Sequence, residues 1–266
     1  MEPFIQDHSS MLEIEAWKKQ QHDLYVGITT RDGGISKPPY DSFNLGLHVN
    51  DCKQDVLVNR SHLATLLGFP LTNWVMGEQT HGTSIHLVTT NDKGKGATDH
   101  LTTLAGVDGL ITKENNVLLT AMFADCVPLY FWDKETNWIG IAHAGWRGTV
   151  QQMAGKMVDA LQRSGANIAT LQVAIGPAIS YQYYEIDQRV YDQIPLSLRD
   201  QVTSKTNESH YFLDLSTLHR EILLEKGIHS EHIYQTNYCT YHDDKFFSHR
   251  REGGKTGRML GFIGRK

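Results

Sequence analysis

VLLTAMF, residues 117–123, and IGIAHA, residues 139–144, are apolar on both faces of the strands that they predict. Strands of this kind belong to a sheet that is covered on both sides. Strand predictions are numerous along the chain, whereas helices are predicted only over 55–67, 149–163 and 215–226, with a weaker one over 186–193. Because hairpins are mixed with crossovers, the sequence predicts an α/β fold, a layered sandwich with mixed sheets.

Composition excludes several classes of protein. The chain has 266 residues and a net charge of −5, which does not favour nucleic-acid or membrane partners. No signal peptide and no apolar run of membrane-spanning length are visible. Three scattered cysteines without a CxxC motif favour a reducing compartment, so we expect a cytoplasmic protein. We predict one domain over residues 1–266, in which the linker-like segment 89–106 is a functional or mobile loop.

Three segments end a predicted strand at a potential metal ligand. They are EQTHG (78–82), FADCVP (123–128) and IAHAGWRGT (141–149), and the ligands are His81, Cys126 and His143. Two imidazoles and one thiolate suit a catalytic zinc, which needs an open fourth position. The gaps of 45 and 17 residues match no local metal motif, so a buried structural Cys126 and packed histidines remain open alternatives at this point.

Two basic segments are candidates for anion binding. Arg147 lies in GWRG, where a strand turns into a helix, and is interpreted either as an anion ligand or as an exposed turn residue. The run FFSHRREGGKTGRM, residues 246–259, is interpreted as a solvated hairpin in preference to an anion-binding loop, since its glycines suit turns.

Together these segments resemble the laccase-domain family, also called the YfiH-like or multicopper polyphenol oxidase family. The likeness covers almost the whole chain. It includes TTRDGG (29–34), YDSFNLGLHVND (40–51), AIGPAIS (174–180) and NYCT (237–240), besides the three ligand segments and the C-terminal run. His249 stands where many members have Tyr, and Glu252 where many have Asp.

The resemblance implies a sandwich like that of bacterial cysteine-type deamidase toxins, with zinc held by His81, Cys126 and His143. It also implies activity on purine nucleosides: phosphorolysis of adenosine, inosine and methylthioadenosine, and deamination of adenosine. Purine nucleosides and phosphate are therefore the expected partners, with no nucleic acid and no membrane. The catalytic candidates are Cys126, His143 and Asp125, where Asp125 either supports the ligands or acts as a general acid at a strand end.

The substrate contacts are assigned by residue type. Arg60, Arg147 and Arg31 are the candidates for phosphate, and Asn44 and Gln79 are the candidates for ribose or base.

Three other functions stay open. One is a metal-free cysteine amidase acting on a peptidoglycan precursor, with Cys126 as nucleophile and His143 or His81 as base. Another is a copper-dependent polyphenol oxidase, although the 14 histidines include no His-x-His pair for a multicopper centre. The third is a scaffold protein without catalysis.

Overall fold

Two six-stranded mixed sheets organise the chain in the computed structural model, which describes residues 2–266. The strand order is β1-β2-β3-β15-β7-β4 in the first sheet and β14-β10-β8-β9-β6-β5 in the second, and β11-β13-β12 form a small third sheet. The strands are β1 (Phe4–His8), β2 (Met11–Ile14), β3 (Leu24–Thr29), β4 (Trp74–Met76), β5 (Ile85–Leu87), β6 (Gly109–Thr112), β7 (Val117–Phe123), β8 (Val127–Asp133), β9 (Ile139–Ala144), β10 (Leu171–Ile175), β11 (Glu185–Asp187), β12 (Thr203–Lys205), β13 (His210–Leu213), β14 (Ile233–Gln235) and β15 (Met259–Arg265).

Residues 2–266 form seven α-helices. They are α1 (Glu15–Gln20), α2 (Lys53–Leu67), α3 (Trp146–Val150), α4 (Met153–Arg163), α5 (Gln188–Tyr191), α6 (Leu196–Val202) and α7 (Leu215–Glu225). Side chains of α4 and α7 form one core with the outward face of the second sheet, and side chains of α2 form another with the first sheet. The result is the layered α/β sandwich that the sequence predicts, folded as one domain.

Both faces of the central strands are apolar because each face packs into a different core. In β8, Leu129 and Phe131 face the helices, whereas Tyr130 and Trp132 lie in the core between the two sheets. The Tyr130 hydroxyl crosses that core and donates to the Gly27 carbonyl at 3.0 Å. Packing on both faces fixes the position of these strands. The site described below lies at their ends.

Local predictions fail where tertiary contacts decide the backbone. The helix predicted over 149–163 is broken at Gln152, which has a φ of 64°, so it forms α3 and α4. Of the weaker helix over 186–193, only α5 forms, since the chain enters it from strand β11. The N-terminal strands β1 and β2 were not predicted. The part of the chain that the structure describes contains no helix long and apolar enough to cross a membrane.

The C-terminal run is a loop and not a hairpin. Residues 246–258 contain no strand, and β15 begins only at Met259. Glu252 holds the loop together: it accepts from Arg31 Nη1 at 2.8 Å and from the Ser248 backbone N–H at 3.2 Å, and it bonds the Thr256 hydroxyl. The hairpin prediction is therefore wrong, because a carboxylate at the centre of the run gathers its polar groups into turns.

Candidate metal centre and its pocket

Three chain segments bring the predicted ligands to one place. His81 lies in the loop after β4, Cys126 in the bend between β7 and β8, and His143 in β9. One ligand atom from each of these side chains lies within 4.8 Å of the other two. In a tetrahedral zinc site two protein ligand atoms lie about 3.3–3.8 Å apart, so the most distant of these atoms would have to close in by roughly 1 Å to bind the ion.

Gly145 keeps the space between the ligands open. A Cβ atom at this position would lie 2.6 Å from His81 Nδ1 and 3.2 Å from Cys126 Sγ. Any other residue would therefore push into the ligand set. Two imidazole nitrogens and one sulfur around a space kept free by glycine fit a zinc ion with one open position.

Asp108 orients two of the three ligands, and sequence reasoning did not identify it. Its carboxylate bonds His143 Nδ1 at 2.9 Å, which leaves Nε2 of that ring for the metal. The same carboxylate accepts from the backbone N–H groups of Thr80, His81 and Gly82 at 3.1, 3.1 and 2.8 Å. One buried side chain thus holds both the His81 loop and the His143 ring. An aspartate just before an apolar strand gave no signal of this, since its partners are remote in the chain.

The charges of Cys126 and His143 depend on each other. Burial would raise the pKa of the Cys126 thiol, but His143 and His81 outweigh it and lower that pKa. Burial would lower the pKa of His143, but the Cys126 thiolate and the Asp108 carboxylate outweigh it and raise that pKa. Cys126 therefore favours the thiolate form, which is the form that binds a metal or acts as a nucleophile.

Asp125 lies where the strand is interrupted. β7 ends at Phe123, β8 begins at Val127, and Asp125 has a φ of 86°. Its side chain lines the same pocket as Cys126. Its two oxygens accept from the Thr240 hydroxyl at 2.6 Å and from the Arg250 backbone N–H at 2.7 Å. The strand end that a general acid would need is therefore present, but the carboxylate already holds two other segments.

The metal ligands form part of a cavity of about 610 Å³. Two aromatic side chains, Trp146 and Tyr184, contribute to its wall. Five basic side chains also line it, and the site predictions included none of them: His48, His100, His249, Arg250 and Arg258. Three come from the C-terminal run, so the anion-binding interpretation of that run describes its position better than the hairpin does. His100 comes from the segment 89–106, two short turns of which are 3₁₀ helices (Thr90–Asp92 and His100–Thr102).

Two of the predicted substrate residues bond backbone groups inside the protein. Arg60 is 2% exposed and donates to the carbonyls of Leu45, Gly96 and Ala97 at 2.7–2.8 Å. Asn44 is fully buried, and its side-chain oxygen accepts from the backbone N–H groups of Gly46 and Arg258. Neither lines the pocket, so their geometry does not fit direct contacts with phosphate or ribose.

Gln79, Arg147 and Arg31 differ in how close they come to the pocket. Gln79 lines it, but its amide exchanges two hydrogen bonds, of 2.8 and 2.7 Å, with the backbone of Met122. Arg147 is exposed and stacks on Trp146, with 4.7 Å between the guanidinium carbon and the ring centroid. Arg31 pairs with Glu252 and lies outside the pocket lining.

Comparisons with known proteins identify relatives of this chain. A family model described as "Multi-copper polyphenol oxidoreductase laccase" matches residues 25–266. A Bacillus subtilis protein named purine nucleoside phosphorylase YlmD is 42% identical over 99% of this chain and 98% of its own. The protein of the same name from Geobacillus stearothermophilus is 47% identical, over 91% of this chain and 90% of its own.

A solved structure shows the same fold. The crystal structure of the Bacillus licheniformis hypothetical protein YfiH superposes with a TM-score of 0.95 at 43% identity, and the match covers 99% of both chains. Since the family model spans most of the sequence and the relatives align over nearly their whole length, this chain belongs to the multi-copper polyphenol oxidoreductase laccase family.

Proposed function

We propose that the chain is a zinc-dependent purine nucleoside phosphorylase that acts on adenosine, inosine and methylthioadenosine. The observation that carries this proposal is the convergence of His81, Cys126 and His143 in a pocket that also presents basic and aromatic side chains. Relatives named purine nucleoside phosphorylase at 42% and 47% identity support it.

The donor chemistry favours zinc. His81, Cys126 and His143 would hold the ion, and a bound zinc supplies a Lewis acid and a coordinated water of lowered pKa. Copper is the alternative for two imidazoles and a thiolate. A multicopper oxidase needs further ligand groups, and residues 2–266 contain no other cluster of three or more His, Cys, Asp or Glu side chains suited to a metal.

Phosphorolysis requires two ligands to meet in one pocket. A phosphate oxygen forms a bond to C1′ of the ribose, the bond from C1′ to the purine nitrogen breaks, and the purine takes up a proton. The products are the free base and ribose 1-phosphate, or 5-methylthioribose 1-phosphate when methylthioadenosine is the substrate. Trp146 and Tyr184 offer aromatic surface for the purine, and the basic side chains offer donors for the anion. Asp125 holds the loop at Arg250, and we assign it this supporting role.

Adenosine deamination is the second activity of the proposed enzyme. Water adds at C6 and ammonia leaves, giving inosine. The same pocket suits it, because three protein ligands leave a position open for water. The free state of the cysteines at 52, 126 and 239 supports our expectation that the enzyme works in the cytoplasm.

A cysteine amidase is the competing function, and one observation favours it. Cys126, His143 and Asp108 stand in the order nucleophile, base and orienting carboxylate that thiol hydrolases use. In that case Cys126 would attack an amide carbon, such as one of a peptidoglycan precursor, and the amine would leave. Removal of metal would then leave the activity intact.

The test is product analysis by chromatography. The purified protein is incubated with adenosine, with and without inorganic phosphate. We expect adenine and ribose 1-phosphate only with phosphate, and inosine in both samples. Absence of any phosphate-dependent product from adenosine, inosine and methylthioadenosine, with metal shown to be bound, would contradict the proposal.

A further inference from the structure

Three basic side chains form a wall on one side of the pocket. His48 comes from the loop before α2, His100 from a 3₁₀ turn, and Arg258 from the residue before β15. The rings of His48 and His100 lie 5.6 Å apart, and the charge of Arg258 acts on His48. We refer to these three side chains as the basic wall.

The Arg258 guanidinium uses only some of its hydrogen-bond donors within the protein. Its Nη1 donates to the carbonyls of Thr256 and Gly257 at 2.8 and 2.9 Å, which fixes the guanidinium plane. Among residues 2–266 its Nε and Nη2 have no hydrogen-bond partner. A fixed guanidinium with two free donors at a pocket wall is suited to a bidentate contact with an oxyanion.

Arg60 and Asn44 hold the basic wall in place. Arg60 bonds Leu45 of the His48 loop and both Gly96 and Ala97 of the His100 segment, so one buried guanidinium joins the two loops. Asn44 accepts from the backbone N–H of Arg258 at 2.9 Å, and Leu45 donates to the Arg258 carbonyl at 3.2 Å. The three side chains are thus brought together by contacts that are themselves buried.

Asp125, Glu252 and the Cys126 thiolate act on Arg258 from a distance. Among residues 2–266, however, no carboxylate lies within ion-pair distance of His48, His100 or Arg258. Arg60 has no carboxylate within ion-pair distance among residues 2–266, and burial lowers its pKa to about 9. Of the two acidic residues in the pocket lining, Asp125 is occupied as described, and Glu78 accepts from the Gly106 backbone N–H at 2.7 Å. Arg258 therefore supplies the positive charge that attracts an anion to this concave surface of a chain with a net charge of −5. Burial and the charge of Arg258 lower the pKa of His48 to about 3, so His48 contributes a neutral hydrogen-bond donor.

We propose that inorganic phosphate, the second substrate of the reaction, binds to the basic wall formed by His48, His100 and Arg258. This inference rests on the proposed phosphorylase function and places its anion away from Arg60 and Arg147. Arg60 and Asn44 then act as positioning residues, because they hold the segments that provide the donors and do not reach the pocket themselves.

The experiment measures phosphate binding directly. Inorganic phosphate is titrated calorimetrically into the metal-loaded full-length protein and into the variants His48→Ala, His100→Ala and Arg258→Gln. The alanine variants remove a hydrogen-bond donor and Arg258→Gln removes the charge, so we expect the dissociation constant for phosphate to rise about tenfold or more. Arg163→Gln is the control, since Arg163 is exposed at the end of α4 and outside the pocket lining. Its affinity should equal that of the unchanged protein.

Folding defects are separated from binding defects by the choice of variants. His48 is exposed, so His48→Ala should keep the melting temperature even if Arg258→Gln does not. Phosphate affinity within twofold of the unchanged protein in all three variants would overturn the inference, and so would the absence of phosphate binding in the unchanged protein.

The activity assay distinguishes this inference from the proposed function. Normal phosphorolysis with an unchanged KM for phosphate in the variants would overturn the basic wall and leave the function standing. Phosphate binding that the variants lose, in a protein without phosphorolysis, would support the anion site and reject the reaction. In a further arm, adenosine 5′-monophosphate replaces phosphate. If it binds more tightly than phosphate and shows the same losses, the basic wall holds a nucleotide and the inference is wrong.

Discussion

At the scale of single residues, Asp108 is the side chain on which the ligand geometry depends most. It bonds the His143 ring and three backbone N–H groups of the His81 loop. In Asp108→Asn, an amide nitrogen would replace one acceptor and face a donor. We expect metal affinity to fall about 10–100-fold, the usual effect of losing a group that orients a metal ligand.

Competition with a chromophoric chelator measures that affinity. The melting temperature of the metal-free variant is the control for a general loss of fold. An unchanged metal affinity in Asp108→Asn would show that the ligands hold their geometry without this carboxylate.

The three candidate metal ligands were open to prediction from sequence because each interrupts an apolar or glycine-rich segment at a strand end. Asp108 and His48 were not, because their roles depend on partners far away in the chain, and Arg258 was predicted only as part of a basic run. Arg60 shows the converse: its residue type suggested phosphate, whereas its long side chain on the buried face of α2 reaches backbone carbonyls. Residue type predicts what a group can bind, and only the fold determines what it meets.

At the scale of elements, helix α7 contacts the turn beside the candidate metal centre. His219 of α7 is fully buried, and its Nε2 lies 2.9 Å from the Thr149 hydroxyl of α3. That hydroxyl donates to the Gly145 carbonyl at 2.9 Å, so it can only accept from His219. The contact fixes the turn that places Gly145 beside His81 and Cys126.

Replacing Thr149 tests this support. Thr149→Val keeps the shape but leaves the His219 donor buried without a partner, which costs about 1–3 kcal/mol. We expect the free energy of unfolding of the metal-free protein, measured in urea, to fall by that amount, and the metal affinity to fall as well. Thr149→Ser keeps the hydroxyl and should retain both. Equal behaviour of the two variants would contradict the role of the hydroxyl.

A helix or strand was predictable when residues close together in the sequence determine it. β7 has the predicted bounds, because a continuous apolar run between turn residues determines a buried strand. The first strand of the hairpin predicted in the C-terminal run does not form, because Arg251 donates to carbonyls of residues 240, 241 and 246 and keeps this part of the chain in turns. Such a side-chain anchor leaves no periodic pattern.

At the scale of the whole molecule, the candidate metal centre joins the two large sheets. His81 follows β4 of the first sheet, Cys126 lies between β7 and β8 of different sheets, and His143 is in β9 of the second. A metal bound here stabilises only the folded state, so its removal should lower the melting temperature of the whole domain by several degrees. Calorimetry before and after chelation measures the change, and re-addition of zinc should reverse it. An unchanged melting temperature after proven metal loss would contradict this link.

The central claim is that metal held by His81, Cys126 and His143 is needed for phosphorolysis. The most direct measurement is the rate at which inosine and inorganic phosphate give hypoxanthine and ribose 1-phosphate, followed in the protein as purified, after exhaustive chelation, and after zinc is restored. We predict about one zinc per chain, loss of the product on chelation and recovery with zinc. A rate that persists in protein shown to be free of metal would contradict the account.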